Sequence, residues 1–298
     1  MAVAADNQWH DVSFTSRDGL RLYGRHYLAG GSASGTGRPV LCLPGLTRNS
    51  RDFHDIALVL SRATDGGRNV YTLDSRGRGQ SDRDPQWRNY SVAVEVGDAL
   101  DFMTRLNLHH AAILGTSRGG MLAMGIAAAR PTSLAAVILN DIGPVIDRNG
   151  LSRIMAYVGR VPVPTSWADA SRLVLEMSRE QFPNLTAADG DALARQWFND
   201  VGGQPASAYD PAIAQSMVLP EGPLPALWKQ FGALKHVPAL VLRGGTSDLL
   251  SEATVAEMVS RHPNLSAHTV AHEGHAPLLR DAATQRVVAE FLRRADKT

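Results

Sequence analysis

Short, continuous apolar runs alternate with amphipathic helical stretches along most of this chain, and that rhythm limits its fold more than any other feature. Residues 40–43 form such a run, followed by a helical pattern over 52–63. The runs at 69–73 and 111–114 are each followed by a helical stretch, over 92–106 and 118–129, and a further run covers 135–139. The rhythm breaks after Asp141 and resumes with a run at 239–242, a helix over 252–261, a strand over 266–270 and a last helix over 282–293. Strands covered on both faces read as unbroken apolar runs, so the pattern predicts an α/β fold with a mostly parallel sheet between two helical layers. Ahead of it, residues 9–15 and 20–28 read as two strands around Arg17-Asp18-Gly19, a hairpin turn signal.

The interruption has its own composition. Residues 143–236 hold nine of the 16 prolines and three of the five tryptophans. Proline stops helices and restricts the residue before it, so this stretch is expected to fold as short helices with irregular joints, inserted on the sheet. The chain therefore divides into a core of residues 1–142 and 237–298 and an insertion of residues 143–236. Residues 30–37, rich in glycine and serine, read as an exposed loop.

Composition removes several classes of function. A chain of 298 residues, 44% hydrophobic and 20% charged, has the material for a sizeable core. Thirty basic and 29 acidic side chains leave a net charge of +1, without the basic excess of a nucleic-acid binder. The single cysteine, Cys42, excludes an internal disulfide framework and a cysteine-rich zinc module, and its apolar strand context marks a buried, inert thiol. No apolar run reaches 18 residues, so no membrane span is expected, and the first residues lack the pattern of a secretory signal. A cytoplasmic location is the resulting expectation.

The strongest chemical signal is Gly115-Thr116-Ser117-Arg118-Gly119-Gly120, between an apolar run and a helix. A sharp strand-to-helix turn needs small residues around it and pushes the Ser117 hydroxyl out at the carboxyl edge of the sheet. A serine hydroxyl is a poor nucleophile unless a base, oriented by a third group, stands beside it. His275, in His272-Glu273-Gly274-His275-Ala276-Pro277, follows the last strand and is the candidate base, with His272 its competitor. Those two histidines are three apart and have no third ligand nearby, so no metal is expected. For the orienting acid, Asp248 in the turn after 239–242 is favoured, with Asp141 as the alternative; both follow strands. The oxyanion donors are expected to be the backbone N–H groups of Arg118 and of Leu46, the latter in Leu43-Pro44-Gly45-Leu46-Thr47. Asp74-Ser75-Arg76-Gly77-Arg78-Gly79-Gln80-Ser81 has neither P-loop nor dinucleotide spacing and reads as a structural turn whose arginines pair locally.

Together, the elbow at 115–120, Leu43-Pro44-Gly45, the 74–81 turn, Ser247-Asp248 and Gly274-His275 resemble the α/β-hydrolase superfamily over nearly the whole chain. The resemblance is to its capped branch of carboxylesterases, enol-lactone hydrolases, proline iminopeptidases and C–C hydrolases. It implies an eight-stranded sheet, a helical cap formed by residues 143–236, and Ser117, Asp248 and His275 as nucleophile, acid and base, with no cofactor. Serine at the elbow sets aside the dehalogenases and epoxide hydrolases, which carry aspartate there. Pro44 replaces the histidine often found in the oxyanion loop. Arg118, unusual beside the nucleophile, either meets a substrate carboxylate or turns away to a surface acid.

The expected function is hydrolysis of a small or medium carboxylic ester or lactone. The alternatives are C–C bond hydrolysis of a β-diketone-like compound and an aminopeptidase of the proline iminopeptidase kind, for which Glu176, Glu180 and Glu221 are available acids. Trp167, Trp197 and Met155 are the expected substrate-binding residues, among large insertion side chains that also include Met177, Phe198 and Trp228. The expected partner is a small molecule, with no nucleic acid and no membrane, for a monomer or homodimer.

Overall fold

The computed structural model describes residues 8–30, 37–63, 67–217 and 220–297. Most of the loop expected over 30–37 lies outside the described residues. Strands β1 (His10–Thr15) and β2 (Arg21–Tyr27) form the antiparallel hairpin around Gly19. Then follow β3 (Val40–Leu43), α1 (His54–Ser61), β4 (Val70–Leu73), α2 (Val92–Arg105), β5 (Ala111–Thr116), α3 (Arg118–Ala129) and β6 (Leu134–Asn140). The inserted segment contributes α4 (Arg148–Tyr157), α5 (Trp167–Ser178), α6 (Ala187–Trp197), strands β7 (Phe198–Val201) and β8 (Gln204–Ser207), and α7 (Trp228–Gly232). The core resumes with β9 (Ala239–Gly244), α8 (Glu252–Arg261), β10 (Leu265–Val270) and α9 (Ala282–Ala295).

Eight strands form one sheet in the order β1-β2-β4-β3-β5-β6-β9-β10. The first two pairings are antiparallel and every later one is parallel. Alternation along the strands sorts the core into two layers. In β3 and β5, Leu41, Leu43, Ala111 and Ile113 face one apolar layer with Phe102 of α2, Leu122 of α3 and Met258 of α8. Val40, Cys42, Ala112 and Leu114 face the other, with Ile56 and Leu60 of α1 and Val288, Phe291 and Leu292 of α9. The insertion has a small core of its own, with Ala170, Val174, Leu193, Ala194 and Phe198.

One element of the insertion was not expected. Gly202 and Gly203, with φ of 59° and 83°, close a two-residue turn between β7 and β8. The hairpin lies against the 74–81 turn: Asn199 Nδ2 donates to Gly79 O at 2.8 Å and Gly79 N to Ala208 O at 2.7 Å. Among the described residues no helix is long and apolar enough to cross a membrane.

Candidate active site

Ser117 is the first residue after β5 and precedes α3, with φ 51° and ψ −115°, a conformation a non-glycine residue rarely holds. The surrounding glycines make it possible. A Cβ on Gly119 would stand 1.9 Å from Leu43 O, and one on Gly115 would stand 2.4 Å from Gly119 O. β5, β3 and the start of α3 therefore approach more closely than any side chain permits, and Ser117 is left at the carboxyl edge of the sheet.

The Ser117 hydroxyl lies 2.9 Å from His275 Nε2. The other ring nitrogen, Nδ1, lies 2.8 Å from Asp141 Oδ2. Asp141 is the first residue after β6 and also has a positive φ, 54°. Its carboxylate is fully buried and anchored twice more, accepting from Gly244 N at 2.7 Å and from the Ser247 hydroxyl at 2.6 Å. An acceptor fixed in this way holds the imidazole with Nδ1–H toward the acid and Nε2 free to accept from the serine.

Asp248, favoured from the sequence as the acid, is not at the histidine. It lies four positions beyond the end of β9, on a turn that faces α4, and both its oxygens accept from Arg153: Nε to Oδ2 at 2.6 Å and Nη2 to Oδ1 at 2.8 Å. Those hydrogen bonds hold the Asp248 carboxyl below the usual carboxylate range. His272 is exposed and does not line the cavity at Ser117.

The histidine loop is pinned from the insertion. Gln181, just beyond α5, accepts from His275 N through Oε1 at 2.8 Å and from Gly274 N through its carbonyl at 2.7 Å. A Cβ on Gly274 would stand 2.1 Å from Gln181 Oε1, so the glycine is the condition for this contact. No sequence motif marks Gln181; its role depends on the fold of the insertion.

Gly45 lies beside the serine, where a Cβ would be 3.8 Å from Ser117 Cβ. Among the described residues, the backbone N–H groups of Leu46 and Arg118 meet no protein acceptor. A single buried network braces both segments. Arg78 Nε donates to Leu46 O at 2.8 Å and Arg78 Nη1 to Glu95 Oε1 at 2.7 Å, while Arg118 Nε donates to Glu95 Oε2 at 2.6 Å. Arg118 thus turns away from the serine, to a buried acid where a surface acid was expected. Burial opposes the charge on Glu95, but the two guanidiniums outweigh it and hold the carboxyl below its usual range. Arg76 is bound by Asp98, Asp84 and Asp18, so both arginines of the 74–81 turn are structural, as expected, but most of their partners come from distant segments where local pairing was expected.

Ser117 and His275 open onto a cavity of about 140 Å³ between sheet and insertion. Its apolar wall includes Leu46, Phe53, Ile154, Tyr157, Met177 and Trp197. Of the three expected substrate-binding residues, only Trp197 lies on this wall. On α4 the inward positions are Arg153, Ile154 and Tyr157; Met155 is about 160° around the helix from both Arg153 and Tyr157 and leaves that face. Trp167 is outside the lining, its ring stacked on Arg195 at 3.6 Å and its Nε1 donating to Gly203 O at 2.9 Å.

Residues 40–290 match the family model described as the alpha/beta hydrolase family. The chain is 33% identical over 266 residues to a 3-hydroxybutyrate-oligomer hydrolase of Cupriavidus necator, covering 85% of this chain and 88% of that protein. It is 27% identical over 231 residues to the esterase YbfF of Escherichia coli, covering 73% of this chain and 79% of the relative. Among solved structures, an alpha/beta hydrolase from Novosphingobium aromaticivorans superposes with a TM-score of 0.88 at 36% identity, covering 97% of this chain and all (100%) of that one.

Proposed function

The chain belongs to the alpha/beta hydrolase family, and we propose that it is a serine hydrolase cleaving a short carboxylic ester through an acyl-enzyme. Ser117 is the nucleophile, His275 the general base and Asp141 the acid that orients it. The observation that carries this reading is the unbroken pair of hydrogen bonds from the Ser117 hydroxyl through His275 to Asp141, beside a small cavity.

Ser117 Oγ adds to the ester carbonyl carbon as its proton passes to His275 Nε2. The carbonyl π electrons move onto the carbonyl oxygen, and the N–H groups of Leu46 and Arg118 donate to it. Collapse of the tetrahedral intermediate breaks the bond to the alkoxy oxygen, which leaves as the alcohol with the proton from Nε2. Water then adds to the acyl-serine, giving its proton to the same nitrogen, and the acid departs as Ser117 regains its proton. The sum is ester plus water to acid plus alcohol, with no cofactor at any step. Asp141 stabilises the imidazolium in both halves.

Residues 143–236 act as a cap: their side chains close one wall of the cavity, and Gln181 ties them to the histidine loop. An apolar cavity of about 150 Å³ holds a molecule the size of benzene, so this one encloses a single short arm of an ester and no long acyl chain. That size, together with the relative that hydrolyses 3-hydroxybutyrate oligomers, favours an ester of a short hydroxy acid. The aminopeptidase alternative is not favoured, since Glu176, Glu180 and Glu221 are all exposed and outside the cavity.

The test is hydrolysis of p-nitrophenyl esters with two-, four- and eight-carbon acyl chains by the wild type and by Ser117→Ala. Turnover is expected to favour the shorter chains and to fall by about 10³-fold or more in the variant. Full turnover by Ser117→Ala would overturn the reading.

A further inference from the structure

Two arginines line the same cavity as Ser117, one from each side: Arg153 from α4 and Arg48 from the loop after β3. Each is gripped by one aspartate in the same way. Arg153 places Nε and Nη2 on Asp248, and Arg48 places Nε and Nη2 on Asp52. In both, Nη1 meets no protein acceptor among the described residues. Arg76 provides the contrast, since its Nε, Nη1 and Nη2 are all taken by aspartates. Arg48 is further committed, with its guanidinium 4.2 Å from the centroid of the Trp197 ring. Arg153 carries no such cover, and it and Asp248 keep 28% of their side-chain surface open. A planar guanidinium held by one aspartate through Nε and Nη2, on a residue that lines the cavity and whose Nη1 has no protein acceptor among the described residues, is suited to bind a carboxylate.

Resting on the hydrolase reading above, we propose that the substrate carries a free carboxylate a short chain away from the scissile ester, and that Arg153, held by Asp248, recognises it. The substrate class is the ester of a short hydroxy acid with its own carboxyl group unblocked. Arg153 is then a specificity-determining residue, and Asp248 is its positioning residue. The pairing also accounts for an aspartate at a strand end that stands apart from the histidine.

The probes are 3-(butanoyloxy)butanoate and its neutral counterpart 3-(butanoyloxy)butanamide, which share the ester and differ in the carboxylate. The wild type is expected to prefer the acid by about tenfold or more in kcat/KM. Arg153→Gln is expected to bring the ratio of acid to amide near one, mainly through KM, and Arg153→Lys to restore part of it. Because the ratio is internal to each preparation, a reduced folded fraction cancels. A wild-type ratio near one, or an unchanged ratio in Arg153→Gln, would overturn the carboxylate site while leaving ester hydrolysis standing. Calorimetric titration of the same two compounds into Ser117→Ala separates the other case. Binding of the acid but not the amide, lost when Arg153→Gln is added, supports the carboxylate site even if the wild type cleaves neither compound. Equal binding of the two overturns it.

Discussion

Asp141 and Asp248 follow neighbouring strands, and the chain order serine, acid, histidine admits either of them. Backbone conformation decides between them. Asp141 leaves β6 with a positive φ that turns its carboxylate under the histidine loop, where Gly244 N and Ser247 hold it; Asp248 is carried past the strand end toward Arg153. Nothing in the two short sequences encodes that difference, because it depends on which partner elements each loop meets. Ser117 and His275 were legible because their glycine settings are local. Asp141→Asn is expected to lower kcat by about 10⁴-fold, by losing the acceptor that fixes the histidine tautomer, and Asp248→Asn to lower it far less on a neutral ester. Steady-state kinetics on p-nitrophenyl butanoate checks this, and the reverse order of losses would return the orienting role to Asp248.

Several elements owe their place to contacts between segments far apart in the chain. Glu95 on α2 joins Arg78 of the 74–81 turn to Arg118 at the start of α3, and Arg78 in turn holds the Leu46 carbonyl. The sequence shows the arginines and the turn, but nothing in it singles out the acid they share from the other four helix glutamates among the described residues. Removing a charge from a buried pair strands its partners, typically at a cost of about 3–5 kcal/mol. Glu95→Gln is expected to lose stability on that scale, measured by urea unfolding, with reduced kcat as the Leu46 and Arg118 segments loosen. A loss below about 1 kcal/mol would remove the network from the account. The β7–β8 hairpin was missed for a different reason. Gly202-Gly203 is a hairpin signal, but its flanking strands are only four residues each and lack a clear apolar alternation.

For the whole molecule, strand and helix positions were legible nearly throughout the sheet, because the inner strands are buried on both faces and most of the helices beside them present one apolar side. The insertion was legible only as a change of composition, since short helices packed on one another carry weak periodicity. Stability against acid is also set at this scale. Burial pushes His26, His54 and His262 below their ordinary value near 6.5. His262 uses both ring nitrogens as a neutral imidazole, donating from Nε2 to Leu234 O at 2.9 Å and accepting from Asn264 N at Nδ1, 3.1 Å away. The unfolded chain therefore takes up these protons first. Their stabilising contribution is complete above the ordinary histidine value, falls as pH drops through it, and stops falling below the folded values. Urea unfolding at pH 7 and pH 5 is expected to show lower stability at pH 5, with a smaller difference in His262→Gln. An equal difference in the variant would show that His262 does not contribute.

An activated nucleophile at Ser117 is open to covalent trapping. Treatment with the organophosphate diethyl p-nitrophenyl phosphate, followed by peptide mass spectrometry, is expected to place one diethylphosphoryl group on Ser117, with ester turnover lost in step. An unlabelled Ser117 in fully inhibited protein, or a label on another residue that tracks the loss of activity, would show that Ser117 is not the nucleophile.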